Sequence, residues 1–303
     1  METNTIGLSL EFIIHPGETL KELIEENNMS QEELAQRTNF SAKHISQVIN
    51  GKKRITAQFA KSLEYVFGIN TTFWLNLQAI YDREIIDYKE RNDITSKEIE
   101  IAKKIEPILK YSNSLKLIDK YTNDIERVII ARNFCKITNL QNIEKVLKLQ
   151  IAYKKNNKNV DEYMLYAWQR MCELIANKEE LKNKYDKEVL LENIKKIKRV
   201  LNENNNKILI EKVKKYLEDS GIIFVLAKKF KGVEISGFIE KNNEKIILCM
   251  ADRRKIDNDF WFVLFHELSH ILNEDIEGNR LEYYLEYADK EQKADAMAFD
   301  FLK

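Results

Sequence analysis

The rhythm of apolar and polar positions changes twice along this chain. From residue 14 to about residue 83, apolar residues recur three or four apart in short runs. Leu20, Leu23 and Ile24 form one run, Leu34 and Ala35 a second, and Ala42, Ile45, Val48 and Ile49 a third. That spacing predicts short amphipathic helices. Ser30-Gln31-Glu32-Glu33 has the form of a capping box, Ser41 predicts another helix start, and Gly51 a stop. In the helix from Ser41 to Asn50, Ala42, Ile45, Val48 and Ile49 are expected inside, and Lys43, Ser46, Gln47 and Asn50 outside.

From residue 95 to about 219 the helical rhythm continues with few breaks. One pattern begins at Ser96 with Glu98 and Glu100. A second stripe holds Tyr163, Tyr166, Ala167, Arg170, Met171 and Leu174, with Trp168 beside it. Leu190, Ile194, Ile197 and Leu201 make a third. Asn156–Asn159 and Asn202–Asn206 read as loops. After Ser220-Gly221 the period shortens. Residues 222–226, 234–239 and 245–250 read as three short strands, with a hairpin turn at Asn242-Asn243 and an antiparallel sheet as the expectation. A strongly apolar helix follows, from Phe260 past Leu272. The pattern predicts a mainly α fold with a small β-sheet (α+β) in three domains, over residues 1–93, 94–219 and 220–303.

Composition narrows this. A chain of 303 residues accommodates two or three domains, and two prolines with eight glycines favour long helices. The three cysteines, Cys135, Cys172 and Cys249, form no CxxC pair, so a disulfide framework and a cysteine metal site are both disfavoured. No leader-like or membrane-spanning run is present, and a cytoplasmic protein with no membrane partner is the expectation. Lys plus Arg and Asp plus Glu both number 49, so net charge says nothing for nucleic acid. The distribution says more. Between Leu34 and Leu63 there are six Lys or Arg and no Asp or Glu. The outward face of the Ser41–Asn50 helix therefore carries amide, hydroxyl and ammonium groups without a carboxylate. Lys52, Lys53 and Arg54 follow it. Such groups suit base edges and phosphates, and two short helices joined by a tight turn describe a helix-turn-helix. The lysine-rich middle reads as a solvated surface.

Distinctive words in this region carry a resemblance: His15-Pro16-Gly17-Glu18, Met29 to Ala35, Ile49 to Thr56, and Phe73 to Gln78. Residues 14 to about 83 resemble the HigA antitoxin branch of the Xre/lambda-repressor helix-turn-helix family. The resemblance implies a five-helix domain that dimerises on double-stranded operator DNA. It places Gln31 on phosphate, Ala42, Lys43 and Gln47 at base edges, and Asn50, Lys52 and Arg54 on the backbone. Lys53 and the outward Ser46 complete the expected DNA-binding set. Phe73, Trp74 and Leu75 are expected to pack the fifth helix.

The second chemical signal is His266-Glu267-Leu268-Ser269-His270, an HExxH motif holding two of the chain's four histidines. On a helix both imidazoles reach one metal ion, and Glu267 can hold a water there. A catalytic zinc takes three protein ligands and keeps an open position. No other histidine lies in this third of the chain, so a carboxylate or a cysteine is expected as the third ligand. Glu274, Asp275, Glu277, Glu282, Glu286, Asp289, Glu291 and Asp295 are available. Glu291 is the best placed, because Ala294 and Ala298 let its helix approach closely. Asp295, one turn on, can accept the spare N–H of a ligating histidine.

With the HExxH motif and Glu291 to Phe299 both present, residues 220–303 resemble the ImmA/IrrE metallopeptidases. The resemblance implies Zn2+ on His266, His270 and Glu291, with Glu267 as general base in peptide hydrolysis. Tyr283, Tyr284 and Tyr287 are possible oxyanion helpers. Family members often continue for tens of residues past this helix, whereas this sequence stops at Lys303. The whole reads as a DNA-binding regulator of antitoxin type, with a zinc endopeptidase domain that cleaves a specific regulatory protein. The alternative is an antitoxin and autorepressor whose zinc domain is structural or binds a cognate toxin.

Overall fold

A computed structural model describes residues 10–150, 160–201, 205–242, 245–252, 256–274 and 288–303. The chain divides into two compact units, Met1–Ile94 and Thr95–Lys303.

The first unit holds five α-helices among its described residues: α1 (Pro16–Glu26), α2 (Gln31–Thr38), α3 (Ala42–Ile49), α4 (Ala57–Phe67) and α5 (Thr71–Asn92). Each start is fixed by a side chain that satisfies an otherwise orphaned backbone N–H. Ser30 Oγ accepts from Glu33 N at 3.1 Å, Ser41 Oγ from His44 N at 3.1 Å, and Thr56 Oγ1 from Phe59 N at 3.3 Å. The expected capping box is only half made. The Glu33 carboxylate turns to Arg37 at 2.6 Å, one turn on. α3 ends in a Schellman motif, with Gly51 N on Val48 O, Lys52 N on Gln47 O, and Gly51 at φ +67°. Leu20, Leu34, Ile45, Val48, Phe59, Leu63 and Trp74 are fully buried in one core. Each contributes roughly 1.5–3 kcal/mol of burial.

The second unit contains α6 (Ser96–Lys104), α7 (Glu106–Ser114), α8 (Asp124–Cys135), α9 (Ile143–Gln150), α10 (Glu162–Ala176), α11 (Lys187–Arg199) and α12 (Asn206–Asp219). Three strands, β1 (Ile222–Lys228), β2 (Gly237–Asn242) and β3 (Lys245–Asp252), precede α13 (Asn258–Leu272) and α14 (Ala288–Leu302). The helical middle and the strand-bearing end therefore share one compact unit, and residue 220 marks a change of secondary structure inside it. Of the two expected loops, residues 156–159 and 202–204 lie outside the described residues. Asn205 caps α12 through its side chain, and Asn206 is the first helical residue.

The sheet corrects the antiparallel expectation. Its order is β1-β3-β2, with β3 antiparallel to β2 and parallel to β1. The physical reason is that both faces of the sheet are covered. Ile222, Phe224, Ile239, Ile246, Leu248 and Met250 share a core with α13. On the opposite face, Phe238 meets Trp168 of α10 edge-on at 5.5 Å, and Trp168 Nε1 donates to Lys228 O at 2.9 Å. A strand apolar on both faces shows no alternation, so its direction is hidden from pattern reading. α10 differs from its expected stripe for the same reason. Met164 through Cys172 are all buried. Nearby, Arg132 makes a two-pronged pair with the buried Glu98 at 3.0 and 2.7 Å.

Candidate metal centre and helix-turn-helix face

In the first unit the residues expected on DNA divide into four groups. Lys43, Asn50, Lys52 and Lys53 are exposed. Gln31, Ser46 and Gln47 are half-buried with Ser46 and Gln47 beside Lys43 on α3, and Asn50 Nδ2 donates to Ser46 O at 2.7 Å. Ala42 is half-buried and packs on the core, in line with its apolar spacing more than with a base contact. Arg54 is engaged elsewhere. Its guanidinium pairs with Asp82 of α5 at 2.9 Å. Asp82 also accepts from Gln78 Nε2 at 2.8 Å, and Gln78 Oε1 accepts from Ile55 N at 2.8 Å. Arg54 thus braces the segment after α3 against α5. An Asp 28 residues away gives no local sequence signal.

Two further residues position α3 and were not read from the sequence as doing so. His15 Nδ1 accepts from Gly17 N at 2.9 Å and caps α1, and its ring meets Tyr81 edge-on at 4.6 Å. Gly17 lies against the end of α3, where an added Cβ would fall 2.1 Å from Val48 O and 2.9 Å from Ile49 O. The words His15-Pro16-Gly17 and Ile49-Asn50-Gly51 are two sides of one helix contact. Of Phe73, Trp74 and Leu75, Trp74 is fully buried, Leu75 is half-buried and Phe73 is 43% exposed.

The second unit brings together the residues that sequence spacing selected. Asp257 caps α13 through its side chain, and α13 turns His266 and His270 to one side. α14 packs against α13, with Ala294 and Ala298 fully buried where small side chains allow close approach. His266 Nε2 lies 3.1 Å from His270 Nε2 and 3.3 Å from Glu291 Oε2. His270 Nε2 lies 3.4 Å from Glu291 Oε1. Among the described residues, His266, His270 and Glu291 are the one group of three such side chains able to share a metal ion.

These separations can be tested against a zinc ion. Tetrahedral ligands about 2.05 Å from a metal are about 3.3 Å apart, and all three observed distances are near that edge. Glu291 Oε1 is buried, with His270 Nε2 3.4 Å away. Two imidazole nitrogens and a carboxylate converge on one point, which a cation satisfies and a single proton does not. His266 Nδ1 is 2.8 Å from Asp295 Oδ1. An ionised Asp295 holds the ring proton on Nδ1 and frees the Nε2 lone pair. The donor set therefore fits zinc.

Electrostatics agree with the geometry. Burial pushes the Glu267 carboxyl up to about 7, against the pull of His266 and His270. Burial also raises the Glu291 carboxyl, but hydrogen bonds from His266 and His270 outweigh it and bring the group down to about 2. Burial lowers His266, and its contacts with Glu291, Glu267 and Asp295 outweigh that to leave it raised. Tyr283, Tyr284 and Tyr287 lie outside the described residues, as do Asp275, Glu277, Glu282 and Glu286. Among the described residues, no helix is long and apolar enough to cross a membrane.

Comparison with known proteins bears on the first unit. The helix-turn-helix family profile matches residues 20–74. Virulence-associated protein I from Dichelobacter nodosus is 31% identical over 80 residues, which are 26% of this chain and 74% of that one. The uncharacterized HTH-type transcriptional regulator YddM from Escherichia coli (strain K12) is 33% identical over 63 residues, 21% of this chain and 67% of that one. A solved HigA-family addiction module antidote protein from Coxiella burnetii is 36% identical, covers 27% of this chain and 95% of its own, and has a TM-score of 0.24. With α2, the turn and α3 in place and the profile spanning them, the chain belongs through its N-terminal unit to the helix-turn-helix family.

Proposed function

We propose that this protein is a DNA-binding regulator of antitoxin type whose second unit is a zinc-dependent endopeptidase acting on a specific regulatory protein. The observation that carries the DNA reading is the outer face of α3, where Lys43, Ser46 and Gln47 lie with Lys52 and Lys53 beyond and no carboxylate among them. The description of one relative, YddM, as an HTH-type transcriptional regulator supports it. The reading places Lys43 and Gln47 at base edges of an operator and Lys52 and Lys53 on phosphates. A homodimer on a palindromic site follows from the same reading. The exposed Phe12, Ile80 and Ile86 of the first unit offer apolar surface for it.

The convergence of His266, His270 and Glu291 carries the enzymatic reading. His266, His270 and Glu291 would hold the ion, and Asp295 would orient His266. Zinc, when bound, supplies a Lewis acid for a peptide carbonyl and makes a water more acidic. Glu267 takes no part in the ligand set. Its carboxylate accepts a proton from the attacking water and returns it to the leaving amine. β2 lies at the sheet edge, and an extended peptide can pair with its outer side.

Metal analysis of the purified chain should give one zinc, lost in His266→Ala. Glu267→Gln should keep zinc and abolish the new protein N-termini that the unaltered chain generates in its cells. Identical N-termini from both would refute the base assignment. Zinc without any cleavage would leave the second unit a structural or toxin-binding module. Operator affinity should fall in Lys43→Ala and Gln47→Ala, and unchanged binding would remove the DNA reading.

A further inference from the structure

The two helices that carry the metal centre have matching stripes. On α13, Phe262, His266 and His270 follow one another four residues apart, and on α14 so do Glu291, Asp295 and Phe299. At that spacing each set lies on one face of its helix. The stripes meet in antiparallel order. His270 faces Glu291 at 3.4 Å, His266 faces Asp295 at 2.8 Å, and the rings of Phe262 and Phe299 have centroids 5.0 Å apart. Phe262 also lies against the His266 ring, with centroids 6.0 Å apart. The aromatic pair is therefore continuous with the ligand set. Solvent access rises along the same line. His270 is fully buried, the Glu291 and Asp295 side chains are 32% and 49% exposed, and Phe299 is 57% exposed. Phe299 is no part of the core beneath, which Trp261, Phe265 and Phe301 help to fill.

We propose that Phe262 and Phe299 form the subsite for an aromatic or large aliphatic side chain of the peptide, next to the bond that the zinc site cleaves. Phe262 supplies a half-buried wall beside His266, and Phe299 an open ring on the solvent side. An apolar side chain resting there leaves water, and an aromatic one gains ring contacts as well. This inference rests on the metal-centre reading above and names a substrate class for it. It assigns specificity to two residues that neither bind the metal nor move a proton.

Two amino-acid hydroxamates test it, since both bind zinc through the same group. L-Alanine hydroxamate carries a methyl group where L-phenylalanine hydroxamate carries a benzyl group. Each is titrated into the zinc-loaded full chain and into its Phe299→Ala and Phe299→Leu variants. The unaltered chain is expected to hold the phenylalanine probe about tenfold more tightly. Phe299→Ala should keep its zinc and lose most of that preference, through weaker binding of the phenylalanine probe. Phe299→Leu retains apolar bulk without the ring and should keep part of it. If Phe299→Ala does not fold, the comparison in Phe299→Leu decides. No preference in the unaltered chain would overturn the proposal, and so would an undiminished preference in the folded variants. Absence of zinc from the unaltered chain would sink the metal reading first, and this inference with it.

Discussion

Replacing Asp295 with alanine separates a residue that orients a ligand from one that is a ligand. The carboxylate accepts from His266 Nδ1 at 2.8 Å and keeps Nε2 aimed at His270 and Glu291. Removing such a partner typically costs ten- to a hundredfold in metal affinity. Asp295 is 49% exposed, so water replaces part of what it supplies and the lower end applies. That predicts about a tenfold loss, or about 1.4 kcal/mol. A second effect has the opposite sign. Asp295 is among the groups that raise the His266 pKa. Without it fewer protons compete for the ring, so at low pH the variant recovers part of its loss. The measurement is therefore a chelator competition at about pH 8, where ordinary imidazoles are neutral. Asp295→Asn keeps an acceptor oxygen without the charge and should lose less than the alanine variant. Unchanged zinc affinity in Asp295→Ala would refute the orienting role, and a loss beyond about a thousandfold would make Asp295 a ligand.

Three other outcomes follow from the described contacts. In metal-free protein the raised Glu267 pKa stabilises the fold below the ordinary carboxylate range, and that stabilisation is lost as pH climbs toward about 7. Raised His266 loses its contribution in the same direction. Glu291, held at about 2, loses its contribution only as pH falls toward that value. Glu267→Gln should therefore flatten the fall in urea midpoint between about pH 4.5 and 7; an unaltered slope would contradict the assignment. Gly17→Ala drives a methyl to 2.1 Å from Val48 O. It should destabilise the first unit by about 1–3 kcal/mol in denaturant melts and weaken operator binding, because α3 must shift. Arg54→Ala should cost at most about 1 kcal/mol of stability, since its ion pair is largely exposed. It should leave the salt dependence of DNA binding unchanged, whereas Lys52→Ala should reduce that slope by about one.

What could be read from the sequence was what lies within one or two helical turns. Ser30, Ser41 and Gly51 act on backbone groups three or four residues away, and all three do what their types predict. His266 and His270 are four apart and needed only a helix between them. Glu291 was found across a longer interval because its neighbours Ala294 and Ala298 mark a close helix contact. What the sequence did not show has the opposite property. The pairing of Arg54 with Asp82 depends on the α4–α5 turn, which brings together residues 28 apart. The place of Gly17 against the end of α3 likewise depends on a contact between separate helices. The direction of β1 relative to β3 depends on α10 covering one face and α13 the other, and no local period records that.

The four histidines make the same point through one residue type. His15 spends its ring on a helix start and on Tyr81. His44 lies between Phe40 and Phe59, where burial and then Lys53 lower its pKa, so it serves as a neutral aromatic filler of α3. Neither has a carboxylate poised on both ring nitrogens. His266 does, with Asp295 on Nδ1 and Glu291 at Nε2, and His270 faces the same point while fully buried. Imidazole becomes metal-ready where one nitrogen is held by an acceptor and the other is aimed at further donor atoms. By that criterion the described residues offer one such place, with Glu267 next to His266 on the same helix.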